Sequence, residues 1–237
     1  MQIVPVVDLL AGDAVRAVRG DRASYQPIRS SLCGGSDPVT VGRALLDHCA
    51  SDTLYIADLN ALTGRGAQTR VLARLLDALP DVAIWLDAGF ASPAEAAAVM
   101  DILPGQGERV VPVIASESLR DAESITPFTQ RWPAALLSLD QRQGAALGAA
   151  SSWTASHLWP QKVIVMTLDR VGSFEGPDLA TLAQVRSRAG PTRTVIGAGG
   201  VRSVADLEAA AGVGAQAWLI ASALHDGRIP AGWSVAC

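Results

Sequence analysis

Four aspartates stand where short apolar runs end: Asp8, Asp58, Asp140 and Asp169. A carboxylate there either caps the next helix or faces a ligand, and for any one alone the two readings weigh about equally. Asp8 and Asp140 carry more, because they close the first and fifth of eight such runs. In a closed ring of parallel strands those two positions face each other across the mouth. Two carboxyl groups across a pocket can serve as general base and general acid, provided that their surroundings keep one ionised and the other protonated.

A second kind of chemistry is suggested by Gly197-Ala198-Gly199-Gly200 after the seventh run. Adjacent glycines let backbone N–H groups approach an anion, and the following helix start adds a favourable dipole. Ile220-Ala221-Ser222 after the eighth run adds N–H groups and a hydroxyl. Gly199, Gly200, Ala221 and Ser222 therefore form the expected phosphate site, where barrels of this type usually hold one. The matching place in the first half, Asp87-Ala88-Gly89-Phe90, offers one glycine and a carboxylate, and Glu117 follows after Ala115-Ser116. Like charges repel, so this half should bind phosphate poorly and suit an amine, a hydroxyl or another neutral group. Asp58 and Asp87 are expected to meet substrate. Arg16, Arg19, Arg22 and Arg29 lie in or near a long polar segment, 13–37, and could close over a charged ligand; Arg16 and Arg19 are the preferred pair.

The elements that must position these groups follow from hydrophobic patterning. Apolar runs occur at 3–7, 53–56, 83–86, 110–114, 134–139, 162–166, 194–196 and 217–220. Runs of this length mark strands buried on both faces. Helical stretches at 38–49, 70–79, 93–103, 179–189 and 204–212 separate several of them, with start signals at Ser36-Asp37-Pro38, Ser92-Pro93 and Ser203. Eight units favour a closed (β/α)8 TIM barrel over an open sheet, and 237 residues suit one domain spanning the whole chain.

The chain also repeats internally. Tyr55-Ile56-Ala57-Asp58-Leu59 resembles Val165-Met166-Thr167-Leu168-Asp169, the aspartates lying 111 positions apart, and 87–92 aligns with 198–203 at the same offset. Ile114-Ala115-Ser116 recurs as Ile220-Ala221-Ser222, and Val7-Asp8-Leu9 as Leu139-Asp140-Gln141. Two homologous half-barrels, about 1–125 and 126–237, account for this order.

A net charge of −4 gives no reason to expect nucleic acid as partner. No run is long enough for a membrane span, no signal peptide is visible at the start, and a cytoplasmic location is expected. Cys33, Cys49 and Cys237 lack metal-site spacing and are expected as reduced thiols; neither metal nor cofactor is expected. Trp85 and Trp218 fall in strands, and Trp153 and Trp159 after the fifth strand are expected in the core rather than stacked on a ligand. Oligomeric state is not legible.

Taken together, the motifs resemble the HisA/HisF family of histidine-biosynthesis barrels. The resemblance rests on Val7-Asp8-Leu9-Leu10-Ala11-Gly12 with Ala14-Val15-Arg16 and Gly20-Asp21, on Ser138-Leu139-Asp140 with Gly144, on 168–173 with Gly176-Pro177-Asp178, on 198–203 and on 221–224. It covers nearly the whole chain. The resemblance implies that Asp8 is the base and Asp140 the acid of an Amadori-type aldose–ketose rearrangement of a phosphoribosyl amine. It also implies that Thr167 and Asp169 supply polar catalytic groups. Two departures stand out. The family's glycine-rich third-strand motif is replaced by 87–91, and its fourth-strand Gly-Thr by Ala115-Ser116, although HisA binds a substrate with one phosphate per half-barrel. The segment with Gly20-Asp21-Arg22, Tyr25, Pro27 and Ser31-Leu32-Cys33 resembles a divergent branch of methanogens and methylotrophs, associated with tetrahydromethanopterin-type one-carbon metabolism. That branch implies another reaction, on a singly phosphorylated substrate, as the alternative.

Overall fold

Eight parallel strands close into a barrel: β1 (Gln2–Leu10), β2 (Thr53–Asp58), β3 (Ala83–Asp87), β4 (Val110–Ala115), β5 (Leu136–Arg142), β6 (Lys162–Thr167), β7 (Thr194–Ala198) and β8 (Ala217–Ile220). Each pairs with the next, and β8 pairs back onto β1 through Gln2 with Ala217 and Ile3 with Trp218. Closure gives each of the eight strands a neighbour on both sides. The computed structural model describes residues 1–19, 21, 24–103 and 109–234. Gly20, Arg22 and Cys237 lie outside the described residues.

Side chains alternate between two cores. Along β1, Ile3, Val7 and Leu9 face outward into the helical layer, whereas Val4, Val6 and Leu10 face the barrel interior. Tyr55, Trp85, Val113, Leu136, Ile164 and Ile196 fill that interior with Val4. Strict alternation then dictates which strand-end residues can reach the mouth.

Helices α1 (Pro38–Cys49), α2 (Thr69–Ala78), α3 (Pro93–Met100), α4 (Ile125–Arg131), α5 (Leu179–Ala189), α6 (Val204–Gly212) and the single turn α7 (Ser222–His225) follow their strands. The Asp37 and Ser92 caps form as expected, accepting hydrogen bonds from the Thr40 and Glu95 amides. Ser203 makes no such side-chain bond; Asp206 instead accepts from the Arg202 amide and guanidinium. One expectation needs adjusting. The polar segment after β1 is partly ordered as strands: Asp13–Arg16 folds back antiparallel on β1, and Gln26–Pro27 pairs with it in turn. After β5 stand two 3-10 turns, Ala150–Trp153 and Ser156–Leu158, in place of an α-helix. Trp159 is buried there, its indole N–H donating to the Ser152 carbonyl. Cys33 and Cys49 are free thiols.

Candidate active site

The strand ends enclose a cavity. Its walls include the carboxylates of Asp8, Asp87, Glu117 and Asp140, with Tyr55 and Arg142. Asp8 reaches it because it continues the inward row Val4–Val6 on β1. Register places Asp8 beside Ala57, and Ala57 beside Asp87, so the two aspartates flank a methyl group in one layer of β1, β2 and β3. Asp140 enters from β5, on the other side of the ring.

Asp140 is strongly perturbed. Only 4% of its surface is exposed. Ser138 Oγ donates to its Oδ1 at 2.6 Å, while the Glu117 amide and Ser116 Oγ each lie 3.4 Å from Oδ2. Burial pushes its pKa up to about 8; the Ser138 bond opposes this, and the charges of Asp87 and Glu117 reinforce it. Asp140 therefore holds a proton at neutral pH, which is what a general acid requires.

Tyr55 lies at the centre of this group, and sequence reasoning missed it. Its hydroxyl donates to Asp87 Oδ2 at 2.9 Å. Burial, then the charges of Asp87 and Asp140, then the Asp87 hydrogen bond and the charge of Asp8, hold the phenol well above its ordinary value. One buried phenol thus feels three aspartates from β1, β3 and β5. The available signal was an inward-facing tyrosine in the buried strand β2, since a buried phenol needs a hydrogen-bond partner.

Across the cavity the lining turns to backbone: Gly172, Gly199, Gly200, Ala221 and Ser222. Gly199 and Gly200 have φ of +90° and +83°. A Cβ on Gly200 would meet the Gly176 carbonyl oxygen at 2.2 Å, so only glycine permits the turn. The four residues read from sequence as a phosphate site thus converge at one end of the same cavity, where N–H groups and the Ser222 hydroxyl could hold an anion.

The remaining expected site residues lie elsewhere. Asp58 is fully buried, on the outward-facing side of β2 with Leu54 and Ile56. Its oxygens accept from the amides of Asn60, Ala61 and Gln68 and from Gln68 Nε2, so its role is to clamp the turn after β2. Thr167 is buried one position past the cavity-lining Met166, and its hydroxyl accepts from Gln141 Nε2. Asp169 accepts from the Gln143 amide in a separate groove that it shares with Arg19 and Glu175. Arg142 lines both spaces.

Two first-loop arginines, Arg16 and Arg19, act as tethers. Arg16 makes a bidentate pair with Asp226, beyond β8, at 2.9 and 2.7 Å. Arg19 pairs with Glu175 at 2.8 Å, and its amide donates to the Val171 carbonyl. Arg29 is exposed. These ties seat the first loop over the mouth, where Ala17 and Tyr25 roof the cavity.

Comparison with known proteins agrees with this architecture. The family model described as histidine biosynthesis protein matches residues 2–230. An uncharacterized protein of Methanocaldococcus jannaschii is 28% identical over 228 residues, covering 96% of this chain and 94% of its own. A 1-(5-phosphoribosyl)-5-((5-phosphoribosylamino)methylideneamino) imidazole-4-carboxamide isomerase of Herpetosiphon aurantiacus is 27% identical, covering 97% of this chain and 95% of its own. The isomerase of the same name from Thermus thermophilus is 26% identical, with 97% and 96% covered.

Proposed function

The chain belongs to the histidine biosynthesis protein family, and from that premise we propose that it is an aldose–ketose isomerase acting on a phosphorylated ribosyl-amine-like small molecule. The observation that carries this reading is the buried carboxyl of Asp140, its pKa raised by burial, in one cavity with Asp8. The substrate phosphate rests on the backbone of Gly199 and Gly200 and on Ala221 and Ser222. That anchors the sugar with its reacting carbons between the two aspartates.

Asp140 donates its proton to the ring oxygen as the C1–O bond breaks and the amine nitrogen forms an imine at C1. Asp8 removes the proton from C2, leaving an enol-amine. Asp140, now ionised, takes the C2 hydroxyl proton as the ketone forms, and Asp8 returns its proton to C1. Both carboxyl groups end as they began. Proton transfer by positioned groups of this kind supplies roughly 10²–10⁴ in rate. Asp87 and Glu117 act on Asp140 electrostatically, and Tyr55 fixes Asp87. Thr167 and Asp169, at the end of β6, support this side of the site from outside the cavity.

Asp8→Asn should lose turnover on the identified aldose phosphate while binding inorganic phosphate as the wild type does. Full activity in Asp8→Asn would refute the mechanism. A second reading, a different reaction on a singly phosphorylated substrate such as one in one-carbon cofactor metabolism, is favoured by Asp87 at the first-half counterpart of the cradle. Metabolites accumulating in a deletion strain distinguish the two: an accumulating phosphorylated ribosyl amine supports the isomerase.

A further inference from the structure

The two ends of the cavity differ in a way that the barrel's repetition exposes. At the offset of 111 that aligns 87–92 with 198–203, Gly89 corresponds to Gly200 and Asp87 to Ala198. Both glycines have positive φ, +67° at Gly89 and +83° at Gly200, so both halves turn at the same place, although Gly199 before the second is also at +90° and Ala88 before the first is not in that region. Asp87 and Ala198 both line the cavity. What differs is what meets the turn. Asp87 Oδ1 accepts the Gly89 amide proton at 3.2 Å, and its Oδ2 accepts the Tyr55 hydroxyl. Leu62 packs on the same glycine: a Cβ added to Gly89 would lie 2.9 Å from Leu62 Cδ2. At Gly200 the corresponding neighbour is the Gly176 backbone, with no acidic side chain in Ala198's place.

We propose that Asp87, held by Tyr55 and covered by Leu62, is an internal anion that occupies the barrel's second phosphate cradle and restricts the enzyme to singly phosphorylated substrates whose other end is not anionic. This rests on the reading of Gly199 and Gly200 as a phosphate cradle. The residues carry the selectivity in three ways. The carboxylate takes the N–H that an incoming phosphate would need. Its charge repels a second anion, with Glu117 and Asp8 adding to the field and Arg142 as the cation among the described lining residues. Leu62, which also lines the cavity, sets an apolar side chain against the glycine, where Gly200 meets backbone instead. The isomerases named above act, by their names, on a compound with two phosphoribosyl groups. Asp87 is thus a specificity residue, and Tyr55 positions it.

The test counts phosphate sites. Wild type, Asp87→Ala and the isosteric Asp87→Asn are titrated with inorganic phosphate by calorimetry and soaked with it as crystals, after circular dichroism has shown each to be folded. The wild type should bind one phosphate, beside Gly199, Gly200 and Ser222. Asp87→Ala should gain a second at the freed Gly89 amide, at least tenfold tighter than any such binding in the wild type; Asp87→Asn should gain it more weakly. A wild type with phosphate at both turns, or folded variants that both stay at one, would overturn the inference alone. A wild type that binds none would instead refute the cradle reading beneath it.

Discussion

Asp140→Asn tests the chemistry where the structure is most explicit. Asp140 is buried and its pKa is raised to about 8, against an ordinary value of 3.8. Between those values the folded protein holds a proton that the unfolded chain has released. Stability from this group is therefore complete at low pH and declines as pH rises toward the folded value, by about 1.4 kcal/mol per pH unit. The amide of the Asp140→Asn variant cannot titrate, so the difference between wild type and variant isolates this effect. From pH 5 to pH 7 the wild type should lose roughly 2–3 kcal/mol relative to the variant. For a chain of this size that corresponds to a relative fall in melting temperature of roughly 5–10 °C. Melts of both proteins across pH 5 to 9 check it. The slope should flatten above about pH 8, where Asp140 is ionised in both states. Wild-type turnover should fall above the same pH, as the acid loses its proton, and Asp140→Asn should cost roughly 10²–10⁴ in kcat. A difference between the two melts that does not change with pH would show that Asp140 is already ionised in the folded protein, and the acid role would fall with it.

Three further outcomes follow from the geometry. Asp58→Ala removes four hydrogen bonds to a buried carboxylate and should cost about 2–4 kcal/mol in denaturant melts, with kcat unchanged below the new midpoint. A large loss of kcat with stability intact would restore Asp58 as a substrate contact. Gly200→Ala puts a methyl group against the Gly176 carbonyl at positive φ; it should destabilise by roughly 1–3 kcal/mol and weaken inorganic phosphate binding together, read by melting and calorimetry. Arg19→Ala breaks an exposed ion pair with Glu175, so stability should change by less than about 1 kcal/mol, while KM rises if the first loop is the roof of the site.

The barrel was legible in the chain because its cause is local. Eight short runs buried on both faces, spaced by helical stretches, allow few other closed arrangements, and every run lies within or overlaps a barrel strand. Gly199 and Gly200 were legible too, since adjacent glycines announce a turn that side chains forbid. What sequence could not decide was the direction of each polar side chain. Asp8, Asp58, Asp140 and Asp169 all lie near or just past the ends of strands. Yet Asp8 and Asp140 face the cavity, Asp58 faces outward into a helix cap, and Asp169 sits past its strand in a separate groove. A shift of one residue along a strand reverses the face, and an apolar run buried on both sides leaves no alternation from which to read it. The partners of Arg16 and Tyr55 lie 210 and 32 positions away. Pairing of β2 with β3 gave Asp87 its phenol, and only closure of the ring brought Asp8, Asp87 and Asp140, from β1, β3 and β5, to one mouth.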